Sequence, residues 1–164
     1  MSVITSSFVL GAESLSIRKL LFADDVVGLG DYTPHPDTRF TLDDVCTIYA
    51  EAAGFAMPLT PGTEDNYNID LALDVLIKLP QSGRMIAFQS EMARMTTQMR
   101  SQLPTQALAF SCTFDGLAPG TYAMEVGLRD ILGGQTVSRD LTLQLVEPTE
   151  ADIKARQERE AHGR

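Results

Sequence analysis

The sequence predicts an all-β fold of antiparallel strands arranged as two sheets face to face, with a helical C-terminal tail. Three observations carry this. Tyr67, Ile69, Leu71, Leu73, Val75 and Ile77 alternate with Asn68, Asp70, Ala72, Asp74, Leu76 and Lys78 in an unbroken period of two. The alternation returns at Leu108, Phe110, Cys112 and Phe114, and again at Tyr122, Met124, Val126 and Leu128. Between these runs stand turn-forming clusters: Pro80-Gln81-Ser82-Gly83, Gly116 to Gly120, and Gly133-Gly134.

In chain order, residues 1–14 read as a Ser- and Thr-rich arm. The first strand alternates Leu15, Ile17 and Lys19 and passes into Leu20-Leu21-Phe22, before Asp24-Asp25 and Gly28-Leu29-Gly30-Asp31 break the pattern. Pro34-His35-Pro36-Asp37 is a loop. A second strand is expected over Phe40 to Ala50, where Val45, Thr47, Ile48 and Tyr49 favour a sheet. Pro58 to Asn66 is a loop, and the third strand covers Tyr67 to Lys78. Arg84 to Phe88 can return as its hairpin partner.

The stretch 89–102 is ambiguous. Met92, Met95 and Met99 fall at i, i+3 and i+7, which is helical spacing. The alternative is an irregular crossing with a strand in its middle. Strands then resume before and after the Gly116–Gly120 corner, and a last strand carries Val137, Leu141, Leu143 and Leu145. The total is about seven strands, one domain over 15–147, and a charged tail over 148–164 whose Ala, Lys, Arg and Glu content favours a helix.

A chain of 164 residues buries roughly 70% of its unfolded surface and needs no metal or disulfide to fold. Its net charge of −9 opposes binding to phosphate backbones, which argues against nucleic acid. No apolar run reaches the roughly 20 residues that span a bilayer. Phe8-Val9-Leu10 before Gly11-Ala12 lacks the basic flank and length of a signal peptide.

The corner Leu117-Ala118-Pro119-Gly120-Thr121-Tyr122 has a structural reading for each residue type. Leu117 can enter the core, Pro119 fixes φ, and Gly120 can take a positive φ. Tyr122 can bury its ring and bond its hydroxyl to upstream backbone, as tyrosine corners do.

With the long strand 67–78 and the Val126-Gly127-Leu128-Arg129-Asp130 run before its Gly-Gly turn, this corner resembles the immunoglobulin-like β-sandwich of predicted bacterial envelope proteins. These include proteins that carry GWxTD domains; the GWxTD motif itself is absent. Gly28 to Tyr32, Phe40 and Ile48-Tyr49-Ala50-Glu51 are similar to the opening strands of such domains. The resemblance implies an immunoglobulin-like fold and a place in the bacterial periplasm or envelope.

Candidate chemistry is sparse. Cys46 and Cys112 match no metal-ligand spacing and fall on strands that neighbour each other in one sheet of such a fold. They stand as two buried thiols or as a disulfide. Asp24, Asp25, Asp31, Asp37, Asp43 and Asp44 gather in loops, where calcium or ordinary turn chemistry could use them. Met92, Met95 and Met99 form either a flap over the core or an adaptable partner surface. No nucleophile–base pattern, cofactor motif or metal set emerges. The expectation is a non-catalytic interaction or assembly module, an accessory subunit of an envelope-associated complex with a protein partner. A small-ligand or carbohydrate-binding module is the alternative, disfavoured because the chain has no Trp for a sugar platform.

Overall fold

The computed structural model describes residues 13–162, so the expected arm over 1–14 lies almost wholly outside the described residues. Nine strands and one helix follow in order: β1 Ser16–Gly28, β2 Asp31–Pro34, β3 Arg39–Thr41, β4 Cys46–Ala53, β5 Tyr67–Lys78, β6 Met85–Met99, β7 Thr105–Cys112, β8 Gly120–Asp130, β9 Gln135–Val146 and α1 Glu150–His162. They form a four-stranded sheet in the order β2-β1-β4-β7 and a five-stranded sheet in the order β3-β9-β8-β5-β6. Every pairing is antiparallel except β3 with β9, which is parallel.

One hydrophobic core draws on both sheets. Ile48, Leu108 and Phe110 come from the first sheet, and Leu71, Leu73, Met124, Val126 and Leu143 from the second. The all-β, two-sheet expectation with its C-terminal helix therefore holds, because strict alternation gives each strand one apolar face to bury.

Two expectations are corrected. Asp24-Asp25 do not end the first strand: β1 continues to Gly28 and pairs with β2 through register shifts between Ala23 and Asp25 and between Val26 and Gly28. Such shifts let an extra residue stand without breaking the hairpin. The expected second strand over Phe40–Ala50 is two strands in different sheets. Asp44 divides them, since its carboxylate accepts the Thr41 amide at 2.7 Å while its own amide donates to the Thr41 carbonyl at 3.1 Å. That turn sends the chain from β3 in one sheet to β4 in the other. These additions raise the count from about seven strands to nine among the described residues.

Of the two readings left open for 89–102, the structure takes the strand: no helix forms there, and β6 runs from Met85 to Met99. Its helix-like methionine spacing comes from a bulge. Ser90, Glu91 and Met92 stand opposite the single residue Asp74, between the pairs Val75↔Gln89 and Leu73↔Ala93. Glu91 takes a left-handed backbone (φ 54°), and its amide donates to Asp74 Oδ1 at 2.8 Å. Beyond the bulge Ala93, Met95 and Met99 occupy alternate positions and pack against the core, as does Met92.

The outer face of the five-stranded sheet is held by diagonal ion pairs. Arg94 Nε and Nη2 donate to the two oxygens of Asp70 at 2.6 and 2.8 Å. Arg129 Nε and Nη2 donate to Asp74 at 2.7 and 3.1 Å. Fully buried Ala72 lies level with both arginines in the register. The Arg94 guanidinium holds the Asp70 carboxyl below the usual carboxylate range. For Asp74, burial pushes upward, but the Arg129 bonds and the Glu91 amide outweigh it and leave the carboxyl low.

Asp130 is the most enclosed carboxylate, with 2% of its surface exposed. Its Oδ2 accepts the Ala56 amide at 2.7 Å and its Oδ1 the Gly133 amide at 2.9 Å. It thus ties the last residue of β8, in one sheet, to the segment that follows β4 in the other. Gly133 is required at that turn, because a Cβ there would lie 2.2 Å from Asp130 Oδ2.

The helix α1 is capped reciprocally. The Thr149 amide donates to Asp152 Oδ2 at 2.8 Å and the Asp152 amide to Thr149 Oγ1 at 3.2 Å. It buries no residue, and it is tied to the domain by Arg156 with Asp43 and Asp44 and by Asp152 with Arg39, all at 3.4 Å.

Candidate functional site

The sheets close unequally. β7 ends one sheet and β6 ends the other, so both strands bordering this side have a free edge. Residues 85–91 of β6 are exposed throughout, and Met85, Ile86 and Phe88 are 62%, 36% and 59% exposed. An edge of this length with apolar side chains can template an added strand. The bulge at Glu91 limits the regular part of that edge to the residues before Ser90 and after Met92.

Between β6 and the end of β7 lies a cleft of about 200 Å³, lined by Val75, Ile77, Phe88, Met92, Phe114 and Met124 among others. It reaches core residues directly: Val75 and Ile77 retain 7% and 8% exposure, and Met124 none. Asp115 and Cys112 are its ionisable lining groups. A volume of this size suits one or two apolar side chains or a very small ligand; it lies below the roughly 300 Å³ at which small-molecule sites begin. A second mouth, formed by Val45, Gln89, Met92, Ser111, Cys112 and Thr113, opens beside it.

Cys46 and Cys112 are directly paired across β4 and β7. Both thiols are free; Cys46 is fully buried and Cys112 partly exposed. The Cys112 thiol beside it and burial push Cys46 far above its ordinary value, whereas the neighbouring Cys46 thiol holds Cys112 below its own despite burial.

Of the sequence candidates, the structure brings Met92 to this cleft and places Met95 and Met99 further along the same seam, where Met99 Sδ accepts from Gln106 Nε2 at 3.2 Å. The corner lies close by. Leu117 lines the cleft, and Tyr122 Oη donates to the Ala118 carbonyl at 2.8 Å. Gly120 takes a positive φ (159°) as expected, Gly116 is the residue in the left-handed helical region (φ 80°), and Pro119 is exposed.

The aspartates do not converge. Asp24 bonds His35 Nδ1 at 2.6 Å, Asp37 accepts the Arg39 amide at 2.8 Å, and Asp43 and Asp44 meet Arg156. Among the described residues no group of three or more His, Cys, Asp or Glu side chains is placed to hold a metal ion. No helix there is long and apolar enough to cross a membrane.

One feature escaped sequence reading. The free β6 edge is masked by methionine spacing that imitates a helix. The 85–88 run, Met-Ile-Ala-Phe, lacks the polar alternation of a solvent-facing strand, and this was the available signal. No protein-family model matches the chain, and no curated protein matches it.

Proposed function

We propose that this chain is a non-catalytic protein-interaction module of immunoglobulin-like wiring, an accessory subunit of a bacterial envelope-associated complex that engages its partner along β6. The wiring is supported by strand order. In the lettering of immunoglobulin domains, β1, β4 and β7 correspond to A, B and E, and β9, β8, β5 and β6 to G, F, C and C′. The tyrosine bonded across its own corner, Tyr122 to Ala118, agrees with that reading. Placement in the envelope rests on the sequence resemblance.

The observation that carries the interaction reading is the exposed apolar edge, where Met85, Ile86 and Phe88 lie beside a cleft that opens onto the core. The test is co-purification from the native source under mild cross-linking, with wild type compared with Phe88→Asp and Ile86→Lys. These positions are already exposed, so the substitutions leave circular dichroism unchanged. A partner retained by wild type and lost by both variants supports the proposal. A chain that emerges alone and monomeric, or a partner unaffected by either substitution, refutes it.

A further inference from the structure

The paired thiols lie at the edge of the cleft, and their unequal exposure suggests a role of their own. We propose that Cys112 is a site of thiol–disulfide exchange with low-molecular-weight disulfides, with Cys46 as the resolving thiol that completes a reversible cross-strand bridge.

Placement comes first. Residues directly opposite in an antiparallel pair have Cα atoms about 4.5–5.5 Å apart, inside the range of about 4.4–6.8 Å that a disulfide spans. Cys46 and Cys112 are such a pair, their side chains on one face of the sheet. The register of the two strands thus brings both residues within the separation that a bridge spans.

Access is one-sided. Cys112 opens to the mouth formed by Val45, Met92, Ser111 and Thr113, whereas Cys46 lies wholly beneath. An incoming disulfide can reach only Cys112. The same sulfur is the better thiolate, because the Cys46 S–H stabilises its charge. Asp115 is the other ionisable group at the cleft and its charge opposes the thiolate, which leaves the neighbouring Cys46 thiol as the supporting group.

The chemistry balances in two steps. The Cys112 thiolate attacks one sulfur of RS–SR, forms Cys112–S–SR and expels RS⁻. Cys46 then loses its proton to the departing thiolate or water and attacks Cys112 Sγ, which expels a second RS⁻. Two electrons and two protons pass from the protein dithiol to the small disulfide, giving the Cys46–Cys112 bridge and two RSH.

The experiment treats folded wild type, Cys46→Ala and Cys112→Ala with excess glutathione disulfide, quenches with acid, alkylates free thiols and weighs the products. Wild type is expected to lose two hydrogens and carry no adduct. Cys46→Ala is expected to accumulate one glutathione on Cys112, and Cys112→Ala to react at least tenfold more slowly. Iodoacetamide rates against pH read the mechanism: the Cys112 profile should lie below the ordinary thiol range in wild type and move upward in Cys46→Ala, a shift that simple packing would not produce. Cys46→Val serves as the trapping variant if the alanine form loses its native circular dichroism. Equal reactivity of Cys112→Ala and Cys46→Ala overturns the proposal. So does a stable wild-type adduct without a bridge, or wild-type thiols that persist where denatured protein is oxidised.

Discussion

Replacing Asp130 by Asn is the sharpest test of how the two sheets are fastened. The carboxylate is 2% exposed and receives two backbone amides, Ala56 on Oδ2 and Gly133 on Oδ1. Asparagine keeps the shape but has only one oxygen. One amide keeps its acceptor; the other faces an NH₂ group and becomes a buried donor without a partner. Such an orphan costs about 1–3 kcal/mol, and exchange of a charged acceptor for a neutral one at the surviving bond costs about 1 kcal/mol more. The sum is about 2–4 kcal/mol. At about 2–4 °C per kcal/mol for a domain of this size, the midpoint of thermal unfolding should fall by about 4–16 °C. Urea denaturation and thermal circular dichroism read it, with Asp65→Asn as an exposed control expected to move stability by no more than about 0.5 kcal/mol. An Asp130→Asn protein that melts with the control would refute the role assigned to this carboxylate.

Two further outcomes follow from the same reasoning. Tyr122→Phe removes the donor to the Ala118 carbonyl and should cost about 1 kcal/mol, lowering the melting midpoint by about 2–4 °C without altering the far-ultraviolet spectrum. Asp70 and Asp74 titrate below their ordinary range, so their contribution is fully present above the unfolded carboxylate pKa of about 4 and disappears as pH falls through their lower folded values. Urea midpoints measured from pH 6 to 2 should decline on that limb, and Asp70→Asn should flatten the decline; an unchanged slope would deny the ion pair a role.

What the sequence disclosed depended on whether one strand's own alternation was enough to place it. The bounds of β5 are evident from Tyr67–Lys78 alone, because every second side chain enters the core. Only the start of β6, the hairpin return over residues 84–88, was legible; beyond it Met92 falls out of step with Met95 and Met99 because of the residues opposite Asp74, a partner outside the segment. The break between β3 and β4 likewise depends on one side-chain-to-backbone bond, from the Thr41 amide to Asp44, that no propensity encodes. Asp130 stands in the sequence only as the end of the run before the Gly-Gly turn, since its second amide comes from Ala56, distant in sequence. The cysteines were correctly placed on neighbouring strands, but their direct pairing and unequal exposure required coordinates.

The parallel contact between β3 and β9 has a consequence for the chain as it is made. Arg39, Phe40 and Thr41 pair with Gln144, Leu145 and Val146, so the sheet pairing of an early segment waits for the last strand, while its Arg39 and Thr41 amides meet Asp37 and Asp44 locally. Contacts of such sequence separation are slow to form, because the intervening chain must be ordered first. A nascent chain leaving the ribosome can pair β1 with β4 early and set Phe40 against Phe22 and His35, yet the β3 edge and the β8 edge that β9 covers stay open until residue 146 is free. That interval is when a chaperone would have apolar surface to grip, and truncations before β9 should persist as its clients.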